Sequence, residues 1–436
     1  MSYLQEPSSA LRQRLQDSLQ RGDFADAEQC AHALLEQQPG DQQAARFAAV
    51  RHQERGELQR AHAVLSRAVA DPAAVAGTWQ QLALLQAELG DLPASAQSLR
   101  SCLELDPHAE LAHLYLGLAK ERLGEPLSAL WHFCRAVHLA QSTGRWVSPD
   151  STPAHALPLV KYAIGKVNQG RRGAIELALQ PLRERYGASE LLRVQQALAG
   201  YLGQPPPQPT DPRQQPKFLY FPGVPSQPYY GRERFPWQEQ LEAATVTIRE
   251  ELSEVLAAAG ALEPFLGTND EAGAGDMLRG SAGPAAWDAY FFYRHGDRYD
   301  EHCLRCPRTT AVLEQLPLVR IREHAPESLF SVLTPGTHIL PHSGVTNTRL
   351  VTHLPLLVPP DCALRVGGVD HQWQEGECIT FDDTFVHEAW NRSERTRVVL
   401  ILDSWNPDLT EVERLAVTDL VQAIGDFNRS AEQLAQ

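Results

Sequence analysis

Ser331-Val-Leu-Thr334-Pro-Gly-Thr-His-Ile-Leu-Pro-His342-Ser-Gly344 leads into Thr346-Asn-Thr-Arg349-Leu-Val-Thr-His353. Past a glycine-marked hairpin come Phe381-Asp-Asp-Thr-Phe-Val-His387 and Arg397-Val-Val-Leu-Ile-Leu-Asp403. Short runs at 328–333, 346–357, 362–367, 376–381, 386–391 and 397–403 are rich in residues that favour strands. Pro335-Gly336, Pro359-Pro360-Asp361, Gly367-Gly368 and Asn391-Arg-Ser393 punctuate them as turns. Closely spaced antiparallel strands of this kind build jelly rolls.

Two histidines on different strands can meet at one mouth of such a barrel, and imidazole is a good ligand for iron, zinc, copper or nickel. His342 and His387 are 45 positions apart. Many non-haem iron sites add a carboxylate beside the first histidine; two residues after His342 stands Gly344. Either no metal binds, or two protein ligands are completed by water. Arg397 lies on a very apolar run, where a charge is costly unless paired. Its partner is either a carboxylate cosubstrate, with Ser331 as a matching hydroxyl donor, or Asp382, Asp383 or Glu388 in a structural ion pair. Arg349, Val351 and His353 share one face by the two-residue period, looking either into the barrel or out to solvent.

Working outward, residues 217–436 form a unit around this stretch. A helix is expected from Trp237 to Ala259, a loop suited to substrate contact over 265–285, an aromatic strand at Trp287–Tyr293 and a helix over Thr309–Leu316. Thr410-Glu-Val-Glu413 is a capping box that opens a last helix. Ahead of the unit, Gly203-Gln-Pro-Pro-Pro-Gln-Pro-Thr-Asp-Pro212 reads as a semi-rigid linker, placed at 201–216.

Residues 1–200 read as a helical domain. Gly22, Gly56, Gly90 and Gly124 recur every 34 residues, each followed by an acid (Asp23, Glu57, Asp91, Glu125) and five residues on by Ala27, Ala61, Ser95 or Ala129. That period, with glycine in the turn and a small residue where helices cross, is the tetratricopeptide signature. Such arrays present a concave face that commonly holds extended peptides, or serve as spacers. Residues 141–200 stay helical in pattern, with breaks at Pro158 and Gly165, and Leu177, Leu179, Leu182, Leu191 and Leu192 are suited to closing the array. The fold class is therefore α+β multidomain: an all-α solenoid, then a double-stranded β-helix.

Composition narrows the function. A net charge of −15 over 436 residues argues against a nucleic-acid partner. Seven cysteines do not make a disulfide framework, and Cys303-x-x-Cys306, with only His302 beside it, reads as ordinary thiols. No signal peptide and no membrane-length apolar run is seen, so the expectation is a cytoplasmic protein without a membrane partner.

Taken together, the stretch resembles the aspartyl/asparaginyl β-hydroxylase family. The resemblance is carried by Thr334 to Gly344, Thr346-Asn-Thr-Arg349-Leu350, His353-Leu354, Trp373-Gln-Glu-Gly376, Phe381 to Trp390, Arg397 and Asp403-Ser-Trp405-Asn-Pro407. It covers roughly 215–415, and the family's animal members also carry tetratricopeptide repeats. The resemblance implies an iron(II)- and 2-oxoglutarate-dependent dioxygenase that uses O2 to hydroxylate the β-carbon of an aspartyl or asparaginyl residue in a peptide or protein. A free or carrier-tethered amino acid, a lipid, or a non-catalytic scaffold are the alternatives. It implies His342 and His387 as the metal ligands, with glycine in place of the usual carboxylate. Ser331 and Arg397 would hold the distal carboxylate of 2-oxoglutarate, and His353 would lie near the other. Val351 departs from a family arginine. Arg349 would then serve the proximal carboxylate, the substrate's acid, or both, and Arg279 would contact substrate.

Overall fold

The computed structural model describes residues 6–205, 209–266, 277–281 and 285–434. It divides into two units, Met1–Arg171 with Asp426–Gln436, and Arg172–Gly425.

The first unit is built on helix pairs: α1 (Ser8–Arg21) with α2 (Phe24–Gln37), α3 (Gln42–Glu54) with α4 (Leu58–Val69), α5 (Ala76–Glu88) with α6 (Leu92–Leu105), and α7 (Glu110–Arg122) with α8 (Pro126–Ser142). The four periodic glycines turn each pair at φ +72°, +75°, +86° and +80°, a region costly for other residues. The amide after each glycine closes back on the helix: Asp23, Glu57, Asp91 and Glu125 donate to the carbonyls of Ser18, His52, Gln86 and Lys120 at 2.8–2.9 Å. Asp23 and Asp91 then cap the second helix by accepting from Asp26 and Ala94. Ala27, Ala61, Ser95 and Ala129 are buried at the crossings, as the pattern predicts. His113 and His132 face one another across α7 and α8, with Nδ1 atoms 3.2 Å apart, as packing residues.

Helix α9 (Leu157–Tyr186) runs unbroken through Pro158 and Gly165. Pro158 is tolerated because a first-turn residue has no helical acceptor to lose. Helix α10 (Leu192–Tyr201) follows. The leucines expected to close the repeat array do not do so; that end of the first unit is met instead by the first half of α9, where Tyr162 packs on Phe133 and Gly170 lies against Leu130. Leu177 and Leu192 are exposed, while Leu179 and Leu191 join Ile175, Val194 and Leu198 in one core with Leu219, Phe221, Val319 and Leu420. The division accordingly falls near Arg172, ahead of the expected 201–216 linker. Part of that linker, 206–208, lies outside the described residues. The rest is pinned: Gln215 N donates to Thr384 O at 2.7 Å, and Gln214 Nε2 to Asp382 Oδ2 at 2.7 Å.

The second unit adds α11 (Gln238–Ala243) and α12 (Thr245–Ala257), which break the expected Trp237–Ala259 helix at Ala244. It also holds α13 (Asp300–Arg305), α14 (Pro307–Gln315) and α15 (Glu411–Leu434). Thr410 and Glu413 cap α15 reciprocally. Its strands are β1 (Tyr229–Tyr230), β2 (Glu263–Pro264), β3 (Leu278–Gly280), β4 (Trp287–Arg294), β5 (Asp297–Arg298), β6 (Ser328–Leu333) and β7 (Thr337–His342). After these come β8 (Arg349–Leu357), β9 (Cys362–Val366), β10 (Val369–His371), β11 (Ile379–Phe381), β12 (His387–Asn391) and β13 (Arg397–Trp405).

All pair antiparallel, in two sheets. One runs β1-β11-β8-β13-β6-β4-β2 with β5 on β4, the other β10-β9-β12-β7-β3. Strand β7 was not among the expected runs. The loop expected over 265–285 falls largely on 267–276 and 282–284, outside the described residues. Alternation explains why β6, β8 and β13 look uniformly apolar in sequence. Phe330, Val332, Leu354, Val398 and Leu400 pack against the layer of α11, α12 and α14, while Leu333 and Val399 face the second sheet's Ile339, Leu364 and Ala389.

Candidate active site

His342 ends β7 and His387 begins β12, and the two are register partners across the ladder. A register shift between His387 and Ala389 re-aims the strand there. The rings lie 4.1 Å apart between centroids. Each Nδ1 is hydrogen-bonded to a backbone carbonyl: His342 to Leu340 at 2.8 Å, His387 to Phe385 at 3.0 Å. Those carbonyls accept a hydrogen bond from Nδ1–H and so fix the tautomer, which leaves both Nε2 lone pairs for a ligand. Burial, and then the neighbouring histidine, push His342 down to about 4; burial also lowers His387. Both imidazoles are therefore neutral at pH 7, the form a metal needs.

Gly344 has a spatial reason. A Cβ built on it would fall inside the carboxylate of Asp383, whose backbone carbonyl accepts from Gly344 N at 2.6 Å. A carboxylate thus stands beside the histidines, brought by a different loop. Burial pushes it up to about 6, and its Oδ1 has no partner. Among the described residues no cluster of three or more His, Cys, Asp or Glu is set to hold a metal.

The histidines open on a cavity of about 200 Å³. On β6, β8 and β13 the odd-numbered side chains face it: Leu329 and Ser331, Arg349, Val351 and His353, and Arg397, Ile401 and Asp403. Arg349 and His353 therefore point inward. At one pole Arg397 is 1% exposed, and no ion pair among the described residues includes it. Two of the three acids that could have paired it are engaged elsewhere, Glu388 with His338 and Arg365 and Asp382 with Gln214 and Thr384, while Asp383 lies against Gly344. Arg397 has only two 3.3 Å contacts to Ser331 and the face of Trp373 at 5.0 Å, with its Nε unpartnered. Burial draws it down to about 10. Ser331 Oγ also accepts from Trp287 Nε1 at 2.9 Å, which leaves its own proton free to donate. His353 is 6% exposed against Phe381 and Trp373, and its Nδ1 has no partner. Burial, then the charge of Arg397, hold it well below its ordinary value. An unpaired buried guanidinium, a free hydroxyl and a neutral imidazole fit a small carboxylate ligand.

At the other pole Arg349 is ion-paired with Asp403, whose Oδ2 also accepts from Glu327 N at 3.0 Å. Glu327 takes two 2.8 Å contacts from His295 and is pushed up to about 7, mainly by burial. Arg279 sits on β3 opposite His338, exposed and outside the cavity lining. Sequence reasoning missed Trp287, Glu327 and Asp403 as lining residues. Asp403 had a signal, as an acid closing an apolar run; Glu327 had none.

A family model described as aspartyl/asparaginyl beta-hydroxylase matches residues 242–407. The chain is 30% identical over 265 residues to "Aspartate beta-hydroxylase domain-containing protein 2" of Homo sapiens, covering 59% of this chain and 68% of that protein. It is 35% identical over 129 residues to "Aspartyl/asparaginyl beta-hydroxylase" of Homo sapiens, covering 29% and 17%. It is 32% identical over 183 residues to "Ornithine lipid ester-linked acyl 2-hydroxylase" of Rhizobium tropici, covering 41% and 61%. Of the last two relatives the chain spans less than two thirds.

Proposed function

Because the chain belongs to the aspartyl/asparaginyl β-hydroxylase family, we propose that it is an iron(II)- and 2-oxoglutarate-dependent hydroxylase, its cavity enclosed by a double-stranded β-helix. The observation that carries this is the pairing of two neutral, carbonyl-oriented histidines with a buried, carboxylate-free Arg397 across one cavity. His342 and His387 would hold the iron. Arg397 and Ser331 would hold the distal carboxylate of 2-oxoglutarate, and His353 is suited to its other end. When bound, iron with 2-oxoglutarate and O2 supplies the oxidising power for hydroxylation. The chain's own residues do the positioning. Phe265 stacked on Trp287 at 3.9 Å, with Leu329, Val351 and Ile401, walls the reacting centre with apolar surface and excludes water.

The substrate in this reading is an aspartyl or asparaginyl residue of a peptide. The supporting surface is a groove on α3 and α5 lined by Gln42, Gln43, Arg46, Val50 and Gln81, in an array whose period is that of peptide-holding repeats. A second reading, a lipid or a carrier-tethered or free amino acid, is favoured by the lipid named for the Rhizobium relative. Among the described residues no helix is long and apolar enough to cross a membrane.

The test is succinate release from 2-oxoglutarate by iron-loaded protein, with wild type compared with His342→Ala and His387→Ala. Metal-dependent release lost in both variants supports the proposal; no release, or release that survives both, sinks it. Arg46→Ala with Gln81→Ala then separates substrates. KM for a peptide rises at unchanged kcat if the groove holds it, and turnover of a small or lipid substrate is untouched.

A further inference from the structure

The cavity lining carries two guanidiniums and three carboxylates, unevenly placed. Arg397 stands apart from every carboxylate and is the group the keto acid would use. The remaining charges sit together. Arg349 is already paired by Asp403, and the charges of Asp383 and Glu327 act on it as well. Asp403 is 2% exposed and is held in place by the Glu327 amide, so the pair is a fixed part of the wall. Leu329, Val351 and Ile401, the neighbouring lining positions on β6, β8 and β13, add no cation. The guanidinium otherwise suited to a substrate anion is thus neutralised in place, with two further carboxyl groups beside it. His353 Nδ1 and Arg397 Nε, in residues 6% and 1% exposed that line the same cavity, are without partners, which marks its other end as built for a polar ligand, the cosubstrate in the reading above.

We infer that the substrate end group received beside Arg349 is a hydrogen-bond donor without negative charge, an amide or a cationic nitrogen, and not a carboxylate. This rests on the oxygenase reading above, since Arg397 is excluded from the count as the cosubstrate's partner. Desolvated carboxylates without enough cations around them either keep their charge, repelling a further anion and accepting from N–H donors, or take up a proton, as Glu327 does near pH 7; neither state supplies a cation for a substrate carboxylate. Of the two side chains the family name offers, the amide fits and the acid does not.

The experiment uses the full chain loaded with manganese(II) and 2-oxoglutarate, titrated calorimetrically with terminally blocked aspartate, asparagine and 2,4-diaminobutyrate. The two nitrogen-ended probes are expected to bind at least about tenfold tighter than aspartate, a difference of about 1.4 kcal/mol. The advantage of diaminobutyrate over asparagine should shrink in Glu327→Gln. Aspartate binding as tightly as either, or no binding of the nitrogen-ended probes, overturns the inference on wild-type protein alone. Succinate release by iron-loaded protein without any probe keeps the two levels apart. If release is absent the oxygenase reading falls; if release occurs and aspartate is preferred, only the charge inference falls.

Discussion

Replacing Arg397 by methionine should make the ligand-free protein more stable and blind to 2-oxoglutarate. The side chain is 1% exposed, has no carboxylate partner and is drawn from 12.5 down to about 10 by burial. A shift of that size corresponds to about 3 kcal/mol spent holding the charge in place. The contacts to Ser331 and the face of Trp373 return part of that. Methionine fills similar volume without a charge, and such replacements of buried ions are often stabilising by about 1–4 kcal/mol. For a unit of this size each kcal/mol moves the melting temperature by about 2–4 °C. At about 2 kcal/mol net, in the middle of that range, the variant should melt roughly 4–8 °C above wild type without cosubstrate. With 2-oxoglutarate at a hundred times its Kd, wild type should gain about 2.7 kcal/mol and the variant nothing. Differential scanning calorimetry with and without 2-oxoglutarate reads both. A variant that melts several degrees lower yet keeps the cosubstrate shift would refute the reasoning and make Arg397 a structural residue.

Three further outcomes follow from the same geometry. Gly344→Ala pushes a methyl group into the Asp383 carboxylate and should cost about 1–3 kcal/mol. Adding Asp383→Ala should recover most of it, and additive melting shifts in the double mutant would show that the two sites do not touch. Asp382 is fully buried and raised to about 7, chiefly by desolvation, so the folded state keeps a proton that the unfolded chain releases near pH 4. Its contribution is full below about pH 4 and is lost as pH rises toward 7. Urea titrations should show Asp382→Asn gaining a few kcal/mol on wild type across that window, and a pH-independent difference would contradict the assignment. Gly90→Ala, at φ +86°, should lower the stability of the repeat unit by about 1–2 kcal/mol, whereas Gly173→Ala, at a helical position of the second unit with open space around it, should raise stability by about 0.5–1 kcal/mol; thermal melts check both.

The repeat unit was legible because one backbone requirement recurs. A glycine with positive φ every 34 residues is a local constraint that the chain must write out each time. That His342, His387, Ser331 and Arg397 come together around one cavity was legible through their motif and through the cost of an arginine in an apolar run. What stayed hidden depends on three-dimensional juxtaposition. That Arg397 lacks a partner became decidable only once Asp382 and Glu388 were seen bound elsewhere. The reason for Gly344 is a carboxylate 39 positions away in sequence. The inward direction of Arg349 and His353 was an even choice on a two-residue period and was settled by which face of β8 meets the second sheet. The leucines between 177 and 192 misled because such side chains suit any partner, and the partner of Leu179 and Leu191 was the second unit's own core.

In the proposed oxygenase the two histidines and Arg397 together hold a metal and a keto acid. Anaerobic titration of the full chain with iron(II) and then 2-oxoglutarate tests it most directly. The predicted result is a weak visible absorption band that appears only with both present, is lost in His342→Ala and His387→Ala, and requires a far higher 2-oxoglutarate concentration in Arg397→Met. Folded wild-type protein that gives no band, or a band that survives both histidine replacements, would contradict it.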